Sequence, residues 1–253
     1  MIASLPMYDR PELNQANDRL WAAVREHLGA GPERLCRGGD PWEQWQDPAL
    51  VLSQTCGYPF RARLHGRVAL VGTPDHGLDG CPPGYYRSVY VARADDGRGA
   101  LDEFAGARLA YNEPLSQSGW AAPQNHARAL GMSFAAASAT GSHAASARAV
   151  ADGLADIAAL DAVSWKMMQT HDAVAAALKE VGQTPPTPAL PYITATGRDA
   201  NAAFAALEVA IAELSPADRQ ALSLHGIVRI PAEAYLAIPN PPPPRGFAGA
   251  NSG

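Results

Sequence analysis

No run of lysine and arginine occurs anywhere in the 253 residues, and the formal net charge is −5. Nucleic acid is therefore not an expected partner, because neutralising phosphates takes clustered positive charge. No apolar run approaches the roughly 18–20 residues of a membrane span. The opening MIASLPMYDR meets a proline and an acid almost at once and does not read as a signal peptide, so a cytoplasmic location follows if the chain is complete. Cysteine is scarce: Cys36, Cys56 and Cys81 match no zinc spacing and leave at least one thiol unpaired. Cys56 and Cys81 both lie in turn-rich sequence and could form a bridge in an oxidising compartment. Catalytic signatures are missing too: there is no GxSxG, no Walker loop, no HExxH and no GxGxxG after a strand. The histidines show no metal-ligand spacing with cysteines or acids. These absences lean toward binding over chemistry, with no cofactor and no metal.

What is present is an ordinary core composition, 47 % hydrophobic, in a chain long enough for one large domain or two small ones. MIASLPMYD reads as a short strand running into a loop. ELNQANDRLWAAVREHLG carries Leu13, Leu20, Trp21, Val24 and Leu28 at helical spacing, with Gly29 as the stop. PWEQWQDPA is a short helix or turn. LVLSQTCGYPF, RVALVGTP and RSVYVARADD read as strands bounded by Gly, Pro and Asp. LDEFAGARLAYNEP gives a short helix and a strand, LADIAALDAVSW a strand entering a loop, and HDAVAAALKEVG a helix. DANAAFAALEVAIAELSPADRQAL gives two helices with Ser215-Pro216 between them. The ending PNPPPPRGFAGANSG has no means of building a core and reads as disordered from residue 241 to 253.

Alternating strands and helices define an α/β class. A lobe of residues 1–92 and 191–240 enclosing a second lobe of residues 93–190 would need two crossovers, with a cleft between the lobes.

The stretch EPLSQSGWAAPQNHARALG carries the functional question. A helix start leaves its first N–H groups without partners and bears partial positive charge, so an anion placed there gains several hydrogen bonds at once. Ser116, Gln117 and Ser118 add donors, Gly119 allows close backbone approach, and Pro123 fits only a first turn, which puts the helix start around Ser118 to Ala122. The same residues also suit a plain N-cap worth about 1 kcal/mol. ATGSHAASARAV is a second hydroxyl-rich start, with Thr140, Ser142, His143 and Ser146; the helix dipole there lowers the proton affinity of His143 unless an anion sits beside it. Asp161 falls near the C-terminal end of a strand, where open α/β sheets bind ligands, and could accept from a ligand amine or cap a helix. Tyr8 and Tyr58 end strands of the first lobe and could either face a ligand or pack in the core.

Taken in order, SLPMYD, LSQTCGYPF, VGTPDHGLDGCPPGYYRSVYV, YNEPLSQSGW and TGSHAASARAVADGLADIAALDAVSW resemble the phosphonate/phosphate/phosphite-type substrate-binding proteins of ABC transporters over about residues 2 to 240. The resemblance implies a two-lobed type II periplasmic-binding-protein fold with two crossover strands, a central ligand cleft, hinge closure and a periplasmic location. It implies an oxyanion held by Ser116, Ser118, Gly119 and His143, with Asp161, Tyr8 and Tyr58 completing the site. The expected partners are a small anionic or zwitterionic ligand and an ABC permease, the chain itself being a monomer. Two rival readings share this fold: a cytoplasmic ligand sensor, and an enzyme using Cys56.

Overall fold

The computed structural model describes residues 1–247. In chain order its strands are β1 (Ile2–Ser4), β2 (Leu50–Gln54), β3 (Val68–Asp75), β4 (Tyr85–Tyr86), β5 (Ser88–Arg93), β6 (Arg108–Tyr111), β7 (Ala136–Ala139), β8 (Ile157–Asp161), β9 (Leu178–Gln183), β10 (Thr187–Pro188), β11 (Tyr192–Ala195) and β12 (Gly226–Val228). The chain divides into two α/β units. Unit 1 is Met1–Tyr85 with Pro188–Ala237, and unit 2 is Tyr86–Thr187 with the chain from Ile238 onward. The strand that was expected to close the first lobe, β5, therefore belongs to unit 2. Among the described residues no helix is long and apolar enough to cross a membrane.

Unit 1 holds a five-stranded sheet in the order β1-β2-β11-β3-β12. β1 and β2 are parallel, and Ser4 and Ser53, paired across them, share a buried hydroxyl–hydroxyl bond of 2.8 Å. Helix Asn14–Leu28 forms as its apolar spacing predicts; it buries Leu20, Trp21 and Val24 and stops at Gly29, whose φ of 68° is the left-handed cap that glycine adopts without strain. It packs beside helix Ala200–Glu213. Leu50, Phe60, Leu64, Ile193 and Tyr235 form the core of this unit.

Unit 2 holds a second five-stranded sheet in the order β7-β6-β8-β5-β9. β7 and β8 both run parallel to β6, while β5 runs antiparallel to β8 and β9. Tyr90, Phe104, Leu109 and Ile157 are fully buried here, each contributing about 1.5–3 kcal/mol by leaving water.

Some segments differ from the sequence reading, and one that carried no reading forms a strand. HDAVAAALKEVG is not a helix: Ala173–Ala177 is a short 3-10 turn and Leu178–Gln183 is the strand β9. Leu178 and Val181 are buried where β9 pairs with β5, so tertiary pairing overrides the helical preference that the preceding alanines lend the segment. The segment after β8 is helix Ala162–His171, not a loop. Ala136–Ala139, all exposed and poor in β-formers, becomes the edge strand β7 because β6 offers it a parallel ladder. The possible Cys56–Cys81 bridge is not formed: Cys56 stands at the N-cap of helix Gly57–Pro59, and Cys81 closes a turn onto Leu78. Of the proline-rich ending, residues 241–247 are described and pack on unit 2, with Pro241 and Pro244 buried; residues 248–253, expected to be disordered, lie outside the described residues.

Candidate functional site

Because β6, β7 and β8 are parallel, their C-terminal ends share one edge of the unit 2 sheet. Each is followed by a helix start with a short polar cap. Ser116 Oγ accepts from the Gly119 N–H at 3.0 Å, Ser142 Oγ from the Ala145 N–H at 3.1 Å, and Asp161 Oδ1 from the Ser164 N–H at 2.9 Å. β5 begins at the same edge, with Ser88 paired opposite Asp161.

The first of these helices begins with a wide turn, Gln117–Ala121, in which the Ala121 N–H reaches back five residues to the Ser116 carbonyl at 3.0 Å. It continues as Ala122–Ala129. Pro123 sits in the first turn of that continuation, as its missing N–H demands. In the five-residue register, the N–H of residue 123 would serve the Ser118 carbonyl. Proline has none, and Ser88 Oγ donates to that carbonyl instead, at 2.9 Å. Ser88 is fully buried and is itself held by the Thr184 hydroxyl, which accepts its N–H at 3.0 Å. The start lies one residue ahead of the predicted window, and Gln117, Ser118 and Gly119 are all buried in it.

Two helix starts meet here. Ser118 Oγ lies 3.0 Å from His143 Nε2, the ring of the first residue of helix His143–Ala151. Thr140 braces the second start: its hydroxyl bonds the Ser146 hydroxyl at 2.7 Å and donates to the Tyr111 carbonyl at 3.1 Å. His143 Nδ1 is buried without a hydrogen-bond partner among the described residues. Burial, rather than the helix dipole, pushes the His143 pKa down to about 4, so the ring is neutral at pH 7. A neutral imidazole has one donor and one acceptor nitrogen; Ser118 engages one of them, and the other has no partner among the described residues.

Gly119 has a packing reason to be glycine. A Cβ there would stand 2.0 Å from Asn112 Oδ1 and 3.2 Å from the Asn112 backbone nitrogen. Its φ is not positive, so the constraint is space and not conformation. Gln117 Nε2 makes a long 3.5 Å contact with the Thr187 hydroxyl. Asp161 is buried and spends one oxygen on its cap. No lysine or arginine stands among these residues; they offer hydroxyls, amide dipoles, one imidazole and the Asp161 carboxylate.

The two tyrosines lie in unit 1, each packed against a neighbour. Tyr8 meets His76 edge-on at 5.3 Å between ring centroids. Tyr58 is buried with the Arg61 guanidinium 4.4 Å above its ring, and burial raises its pKa. Ser88 and Asn112, which support the Gln117–Ala121 turn, are the residues of this candidate site that the sequence reading missed. The only local signal for either was a polar residue at a strand terminus. Among the described residues no cluster of three or more His, Cys, Asp or Glu could hold a metal ion.

The His143 shift has a consequence for stability. Its folded pKa lies below the unfolded value of about 6.5, so between those values the unfolded chain binds the extra proton. Folding stability therefore falls as pH drops from about 6.5 to 4, by about 2–3 kcal/mol from this group. His126, also pushed down by burial, adds to the same trend. Urea unfolding at pH 4.5 and 7 should show the loss in the unaltered protein and a clearly smaller one in His143→Gln. An equal loss in both would show that His143 does not titrate as its burial requires.

The arrangement is a two-unit α/β fold, and comparison with solved structures agrees on the fold. The chain is similar to PhnD1 from Prochlorococcus marinus (MIT 9301), solved in complex with methylphosphonate, at 14 % identity and a TM-score of 0.71, covering 92 % of this chain and 94 % of that one. It is equally similar to the binding-protein component of an ABC phosphonate transporter from Pseudomonas aeruginosa, at 14 % identity and TM-score 0.71, over 94 % of this chain and 83 % of that one. XAC2383 from Xanthomonas citri, solved bound to ATP, follows at 18 % identity and TM-score 0.65, with 92 % of each chain covered. Among curated proteins, none matches the sequence. Residues 49–234 match the family described as ABC transporter, phosphonate, periplasmic substrate-binding protein, and the chain belongs to that family. Its role is solute binding, a non-enzymatic part of transport.

Proposed function

We propose that unit 2 holds a small oxyanion, of the phosphonate, phosphate or phosphite kind, at the paired helix starts, and that the loaded protein delivers it to an ABC permease. The observation that carries this reading is the Ser118 Oγ–His143 Nε2 contact of 3.0 Å, which joins two hydroxyl-rich helix starts at one sheet edge. Ser116 shapes the first turn by capping Gly119, and Ser118 and Gln117 present amide and side-chain donors. A tetrahedral oxyanion offers several acceptors to such a cluster without needing a full positive charge. The match to PhnD1, solved with methylphosphonate, supports the ligand class. His143 adds a group that gains a proton when a dianion approaches, because the anion offsets the cost of charging a largely desolvated ring. Asp161 lies at the same edge as a candidate acceptor for an amine on the ligand, so 2-aminoethylphosphonate belongs among the test ligands.

Calorimetry with phosphate, phosphite, methylphosphonate and 2-aminoethylphosphonate tests this. At least one should bind at a single site with micromolar or tighter affinity. Binding of none of the four at millimolar concentration would remove the proposed ligand class.

A further inference from the structure

The family match ends at residue 234, yet the chain continues. After the unit 1 helix Ala232–Leu236, it passes into unit 2 from Ile238 as the segment IPNPPPPR. Two side-chain donors of unit 2 hold the backbone of this segment. Asn125 Nδ2 donates to the Pro239 carbonyl at 2.8 Å, and Trp120 Nε1 donates to the Pro242 carbonyl at 3.2 Å. The two acceptors are three residues apart, and so are the two buried prolines, Pro241 and Pro244. A period of three is that of a polyproline II helix, which consecutive prolines favour and whose carbonyls stay available because proline has no N–H.

Trp120 is not an arbitrary anchor. It lies in the same wide turn as Gln117, Ser118 and Gly119, and its own N–H bonds the Ser116 carbonyl at 3.2 Å. Its ring packs on Tyr111 at 4.8 Å between centroids, and Tyr111 precedes Asn112, the residue that abuts Gly119. We propose that the proline-rich segment is a strap that fixes the ligand-binding turn through Trp120, which makes Trp120 a positioning residue for the anion site. This inference rests on the reading of that turn as the site. Beside the strap, a cavity of about 660 Å³ is lined by Trp120, Arg128 and Phe134 together with Pro242–Pro244 and Arg245. A segment stiffened by proline loses little conformational entropy on docking, so few contacts suffice to hold it and few need break to free it. Coupling of this kind is reciprocal: if the docked strap favours the anion, the anion favours the docked strap by the same factor.

The test uses full-length protein and two substitutions outside the ligand contacts. Trp120→Phe keeps the ring on Tyr111 and removes the indole donor; Asn125→Ala removes the other anchor. Arg245, exposed and followed by Gly246, gives trypsin a cut at the end of the strap that mass spectrometry reads as loss of the last eight residues. Both variants should be cut faster after Arg245 and should bind methylphosphonate about two- to tenfold more weakly, the worth of one neutral hydrogen bond. In the unaltered protein, saturating methylphosphonate should slow the cut. The double variant should bind no more weakly than the worse single one, because both act through one strap. Faster cutting with unchanged affinity would overturn the coupling and leave the anion site standing. Unchanged cutting in both variants would show that these bonds do not hold the strap. Failure of the unaltered protein to bind any of the four anions would instead remove the site, and this inference with it.

Discussion

Ser118→Ala should weaken methylphosphonate binding by about 10- to 100-fold, the value of one hydrogen bond to a charged group. The hydroxyl has one side-chain partner here, His143 Nε2 at 3.0 Å. Its removal takes a donor from the ligand and frees an imidazole whose Nδ1 already lacks a partner. Some folding stability is therefore lost as well, about 1–3 kcal/mol for a buried polar group left unpaired. Cooperative unfolding should nevertheless persist, since Ser116, which caps the helix, is untouched. His143→Ala should weaken binding to a similar degree. The two substitutions together should cost less than the product of the separate effects, because each already breaks the contact between them. Affinity unchanged in both single variants would remove these side chains from the site.

Gly119→Ala should be worse for binding, and for a different reason. The added methyl group would lie 2.0 Å from Asn112 Oδ1, and the Asn112 backbone nitrogen at 3.2 Å limits retreat on that side. The turn that carries Gln117 and Ser118 must then shift as a body. A displacement of even part of an ångström misaligns every donor at once, so the affinity loss should be about 100-fold or more, with overpacking costing about 1–3 kcal/mol of stability. The companion variant sharpens the test. Asn112 Oδ1 has no hydrogen-bond partner among the described residues, so Asn112→Ala sacrifices little and vacates the space. Gly119→Ala with Asn112→Ala should recover much of the affinity lost in Gly119→Ala alone, as calorimetry would show. No recovery would mean that the glycine is required for close approach of the ligand and not for packing on Asn112.

Much of this site could be read from the chain, and the unread part has a common cause. Ser116, Ser118, Gly119 and Pro123 announce a helix start because each acts locally, through a cap, a missing Cβ or a missing N–H. The GSH start is legible for the same reason, and so is the placement of Asp161 at a strand end. Ser88 was not legible: its value comes from the Ser118 carbonyl, 30 positions away, which needs it only because residue 123 is proline in a five-residue turn. Asn112 was hidden because the purpose of Gly119 is a tertiary contact that no spacing announces. In the fold, β9 was misread because alanine content speaks for helix while pairing with β5 decides otherwise. The unit boundaries fall at Tyr85/Tyr86 and Thr187/Pro188, a few residues earlier than the composition suggests, because strand β5 takes its hydrogen bonds from β8 and β9.

The central claim is that the amides and side chains at the starts of helices Gln117–Ala129 and His143–Ala151 hold the oxyanion. An NMR titration of isotopically labelled protein with methylphosphonate tests it most directly. The account predicts saturable shifts of the Gln117 and Ser118 amide protons and of the His143 ring nitrogens, at the concentration where calorimetry shows binding. Saturable shifts confined to other residues, with these groups unmoved, would contradict it.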